Sequence, residues 1–149
     1  MTPTPGEPPD ALAAILKRWQ SAETATIERA NEVLERTSHP AIRLAMEIVR
    51  RDSEMHREVQ QAILDGPDQR AFTAEELREV WALVEQQMEA EKRRLEFARQ
   101  AASQCRVDVE RQPLAYLLLS YVVEDEKKRA RLLGRLEDFQ HNRYEDVEG

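Results

Sequence analysis

The chain has 149 residues, 41% of them hydrophobic, 5% aromatic and 34% charged, with four glycines, one cysteine and a formal charge of −7. A chain of this length can bury one core without staples, and the glycine-poor, charge-rich mixture suits long helices rather than a sheet sandwich. The acidic balance argues against nonspecific nucleic-acid binding and against an anionic membrane surface, and no apolar run is long enough to span a bilayer.

Residues 1–9 (MTPTPGEPP) are too rich in proline for regular structure and read as a disordered tail. A first helix is expected over about 10–37, starting at Asp10, with Leu16, Trp19, Ile27, Ala30 and Leu34 at three- and four-residue steps. Pro40 opens a second helix, about 40–65, and makes His39 a turn residue. Gly66-Pro67 stops it. Thr73-Ala-Glu-Glu76 is a capping-box pattern, with Phe72 placed to staple on Leu77, and opens a third helix over about 73–104. The fourth runs over about 111–140, with Pro113 in its first turn, and 141–149 is a polar, fraying tail that includes His141. Short breaks between equally long helices predict one all-α domain, an antiparallel four-helix bundle over 10–140. The competing arrangement is a helical hairpin that completes its bundle as a dimer.

Helical phase then exposes an anomaly. Each apolar stripe is interrupted near its middle by charged or polar residues: Glu23 on helix one, Asp52, Ser53 and His56 on helix two, Glu91 on helix three, Glu126 and Arg129 on helix four. Glu28 falls on the solvent side. Burying such groups costs several kcal/mol per ion unless they are paired or bound to metal, so four interruptions at one level imply a common polar cavity.

The segments Ile42–His56 (IRLAMEIVRRDSEMH) and Tyr121–Arg129 (YVVEDEKKR) resemble the second and fourth helices of ferritin-like, rubrerythrin-type proteins, among them small bacterial members with degenerate ligand motifs. A weak internal repeat of the two halves agrees with that resemblance. It implies a carboxylate/histidine centre for two metals, with Glu23 and Glu91 as the single glutamates and a Glu-x-x-His motif on each of the other helices. Here Ser53 stands at the lost glutamate position before His56, with Asp52 as the substitute ligand, and Arg129 stands three residues after Glu126 where the second histidine is expected. Arginine offers only donors and stays charged, so it replaces a cation instead of binding one.

The expected function is therefore a non-catalytic binding or structural bundle that carries no cofactor. The alternative is a mononuclear protein holding Fe, Mn or Zn on Glu23, His56, Glu91 and Glu126, in metal handling or peroxide chemistry. No Gly-x-Ser-x-Gly, phosphate loop or dinucleotide fingerprint occurs, and Cys105 has no readable partner for nucleophilic chemistry. Trp19, Trp81, Tyr116 and Tyr121 are expected to pack in the core. The absence of a signal-peptide pattern and the lone cysteine predict a cytoplasmic protein, and a homodimer paired along its helices is expected by analogy.

Overall fold

The computed structural model describes residues 6–67 and 72–141, so the expectations for 1–5 and 142–149 lie outside it. Among the described residues the chain is helical throughout, without a strand. It divides into two compact units that part between Gln69 and Arg70, and each unit is a two-helix hairpin.

The first hairpin pairs α1 (Asp10–Arg36) with α2 (Pro40–Leu64). Asp10 is the first residue of α1 and not its side-chain cap; the N-cap position falls on Pro9, which has no side-chain acceptor. The turn is closed by local chemistry. Arg43 Nη1 donates to the carbonyls of Leu34 (2.7 Å) and Thr37 (2.9 Å), satisfying acceptors that the end of α1 leaves open. His39 caps α2, its Nδ1 accepting from the Ala41 amide at 3.2 Å, and Pro40 follows at the first helical position. At the far end Gly66 turns the chain with φ +70°, its amide reaching Ile63 O at 3.1 Å. Cross-helix partners run in opposite order along the two helices, from Gln20–Gln61 through Glu23–His56 to Asn31–Arg50, so the pair is antiparallel.

The second hairpin begins at the expected capping box, Thr73 and Glu76 each bonding the other's backbone amide. A single turn, α3 (Ala74–Glu76), leads through a π-helical stretch (Leu77–Trp81) into α4 (Ala82–Val107), which pairs with α5 (Pro113–Gln140). The expected unbroken helix over 73–104 thus contains a wider turn and ends three residues later. Phe72 packs on Trp81 (centroids 6.1 Å apart) and edge-on against Phe139 (5.7 Å), an aromatic cluster joining both ends of the hairpin.

Burial follows a narrow seam in each hairpin. Leu16, Glu23 and Ala30 on α1, and Ser53 and Gln60 on α2, succeed one another at seven-residue steps. Glu91 and Ala98 on α4 repeat that step and face Glu126 on α5. Seven-residue spacing keeps one line of side chains against a partner helix. A two-helix seam cannot cover the rest of an apolar stripe, and the flanks differ. In the first hairpin one flank carries the pairs Gln20–Gln61 and Asn31–Arg50, while the other leaves Trp19 50% and Val59 51% exposed. In the second, Phe97 and Leu132 stand 68% and 67% exposed. Trp19 is therefore a flank residue, not the core residue expected from its phase.

Candidate polar centres on the two seams

On the first seam, the carboxylate of Glu23 collects donors from both helices. The Trp19 indole N–H, one turn earlier on α1, reaches Oε1 at 3.0 Å. His56 Nδ1 lies 3.2 Å from the same oxygen, and the Ser53 hydroxyl is a further hydrogen-bond partner. The Ser53 hydrogen bond, followed by those from His56 and Trp19, outweighs burial and holds the Glu23 carboxyl below the usual carboxylate range. Ser53 is buried, whereas the His56 side chain is 52% exposed. Asp52 is half-buried and does not join the groups around Glu23.

On the second seam Glu91 is almost fully enclosed, at 1% exposure. Its Oε1 accepts from Gln87 Nε2 at 2.8 Å and from Arg129 Nη2 at 2.8 Å, and Arg94, one turn on, also contacts it. Arg129 Nη1 lies 3.7 Å from Glu126 Oε1, so one guanidinium spans both carboxyls. The second oxygens, Glu91 Oε2 and Glu126 Oε2, are buried without a hydrogen-bond partner. The titration of the two carboxyls splits. The hydrogen bond to Glu91, burial and the Glu91 charge push the Glu126 carboxyl up. Burial pushes Glu91 up too, but the bonds from Glu126 and Gln87 and the charges of Arg129 and Arg94 prevail and hold it low.

The residues singled out from sequence therefore assemble as two clusters, Glu23–Ser53–His56 and Glu91–Glu126–Arg129, each within its own hairpin. Two participants, Arg94 and Gln87, were not anticipated. Arg94 stands three residues after Glu91, the spacing of a same-face pair. Gln87, four residues before Glu91, carries the same signal. Gln60 is buried at 2% exposure with both amide atoms unpartnered, one heptad from Ser53. Tyr116 and Tyr121 are half-buried.

The donor chemistry does not fit the two-metal centre that the resemblance implies. Two guanidiniums, Arg129 and Arg94, already balance the two carboxyls of the second seam, and the position before His56 holds a hydroxyl that donates to Glu23. Among the described residues no three His, Cys, Asp or Glu side chains come together as a metal-ligating group. No helix among them is long and apolar enough to cross a membrane. Compared with known proteins, the chain matches no family, no curated protein and no solved structure.

Proposed function

We propose that this chain is a non-catalytic, ferritin-like four-helix bundle, a binding or structural module, in which Arg129 permanently occupies the role that a removable cation plays in the proteins it resembles. The observation carrying this reading is the guanidinium of Arg129 placed between Glu91 and Glu126. A fixed cation there neutralises carboxylates that would otherwise demand a metal or a large desolvation penalty. Arg94 makes the neutralisation complete on the Glu91 side. Each hairpin leaves an apolar flank exposed, with side chains as large as Trp19 and Phe97, and a bundle needs such surfaces to bury. The function then resides on the outer surface of the bundle, not in a reaction at its centre.

The test is the metal content of protein purified without chelator from medium supplemented with Fe, Mn and Zn, for the wild type and for Arg129→His combined with Arg94→Gln. The wild type should carry essentially no metal and show no rise in Tm when metal is added, whereas the double variant should gain metal. A bound metal present at about a hundred times its Kd would stabilise the fold by about 2.7 kcal/mol, a shift that is easily read. One metal per wild-type chain, lost on Glu23→Ala or His56→Ala, would overturn the proposal in favour of a mononuclear Fe, Mn or Zn protein.

A further inference from the structure

The second hairpin has a cleft that plays no part in the seam. It is an open groove of about 320 Å³ between the last turns of α4 and the first half of α5. Arg99, Ser103 and Arg106 line it from α4, and Tyr116, Ser120 and Glu124 from α5. Helical phase puts its α4 wall about half a turn round the helix from Arg94 and Phe97, so it opens on the flank opposite the seam's arginines.

The charges of this cleft are unbalanced in an unusual way for an acidic chain. Neither Arg99 nor Arg106 has an ion-pair or hydrogen-bond partner among the described residues, whereas Lys92 and Arg94 on the same helix each hold a glutamate. The stretch 97–107 (FARQAASQCRV) contains no acid, and Glu96, the acid nearest before it, accepts from Gln100. The one carboxylate on the rim, Glu124, pairs with Lys127 at 3.2 Å. Ser120 is also committed, its hydroxyl donating to Tyr116 O at 2.7 Å. What remains free is two guanidiniums separated by about 10 Å of helix rise, with the Ser103 hydroxyl between them and the Tyr116 hydroxyl opposite. Ala102 and Val123 supply an apolar wall.

We infer that this cleft binds a small phosphate monoester. The dianion has three oxygens to accept from Arg99, Arg106 and Ser103, and guanidinium forks match phosphate oxygens bidentately. A single carboxylate carries one negative charge, so it would neutralise only one of the two arginines. The organic part of the ester rests on the Tyr116 ring and the Ala102–Val123 wall. A cavity of this volume lies at the lower end of the range for small-molecule sites. The inference is independent of the metal-replacement proposal, because it uses no residue of either seam.

The experiment titrates the full chain with phenyl phosphate, inorganic phosphate and benzoate at constant ionic strength, measuring affinity by calorimetry and mapping amide NMR shifts. Saturable binding of phenyl phosphate is expected, tighter than either other probe, with shifts confined to 99–106 and 116–124. Removing charge-assisted hydrogen bonds in Arg99→Ala or Arg106→Ala should weaken it about tenfold or more, and Arg99→Lys should also weaken it, because the fork is lost while the charge stays. Arg18→Ala, an exposed arginine of α1, should leave affinity unchanged. Arg106 also complements the carbonyl end of α4; if that were its whole role, Arg106→Ala would lower Tm and leave affinity intact. Non-saturable shifts, equal affinity in the arginine variants, or benzoate binding as tightly as phenyl phosphate would each overturn the inference.

Discussion

Glu23 and Glu126 occupy buried positions on their seams yet titrate in opposite directions, and the difference is one of partners. Glu23 faces only donors, from Ser53, His56 and Trp19, so its ionised form is favoured. Its contribution to stability is complete above the unfolded value of about 4.3 and is lost as pH falls through the lower folded pKa. Ser53→Ala should therefore destabilise the protein by about 1 kcal/mol at pH 7, and by less once acid has protonated Glu23. Urea midpoints at pH 7 and in acid test this, and a loss independent of pH would remove Glu23 from the explanation. Glu126 faces another carboxyl, so its protonated form is favoured; that contribution is present below the unfolded pKa and is lost as pH rises through the raised folded one. An amide mimics the protonated form, so Glu126→Gln should gain about 1 kcal/mol at pH 8 and nothing well below the unfolded pKa. An equal gain at both pH values would mean that Glu91 does not disfavour the ionised form of Glu126. Gln60 is a simpler case. Its unpartnered amide sits in a closed seam, and Gln60→Leu should stabilise by about 1–2 kcal/mol, read as a higher urea midpoint at unchanged slope. Of these residues, Glu23, Glu91 and Glu126 were legible from phase alone, because a charge on an apolar stripe is visible in one dimension. Arg94 was not, since on sequence it belongs to an ordinary charged run.

At the scale of elements, the four long helices were legible because their ends are written in local chemistry. Pro40 and Pro113 at first-turn positions, Thr73 with Glu76, and the positive φ of Gly66 each act within four residues. The π-helical stretch Leu77–Trp81 left no comparable trace, because a single widened turn alters the phase of a stripe less than natural irregularity does. Trp81, the last residue of that stretch, packs against Phe72. Gly134 gives a direct test of helix propensity. It lies within α5, and a Cβ added there would meet nothing within 4 Å. Gly134→Ala should raise stability by about 1 kcal/mol, measured as Tm. A loss would show that something packs against this position.

The whole molecule is governed by what two-helix seams leave uncovered. Among the described residues five buried polar or charged ones, Glu23, Ser53, Gln60, Glu91 and Glu126, outnumber the three buried apolar ones, Leu16, Ala30 and Ala98. Such seams hold helices in register but bury little hydrocarbon, the main source of driving force. Val59, half exposed on its hairpin, is a sensitive probe. In the proposed bundle Val59→Asp should cost about 2–3 kcal/mol, the size of a core defect, and lower Tm accordingly. A change within about 0.5 kcal/mol, the usual effect of a free surface position, would mean that this flank is not covered. By itself the sequence determined the helical class, the positions of the turns and the polar interruption of every apolar stripe, because each depends on contacts within a few residues or on a period along one helix. Only the tertiary structure decided which polar groups meet: that Ser53 and His56 serve Glu23, that Arg94 joins Arg129 on Glu91, and that Arg99 and Arg106 face one cleft. Partner choice is set by how two helices align across a seam, and that alignment depends on distances between residues that one chain's order does not contain.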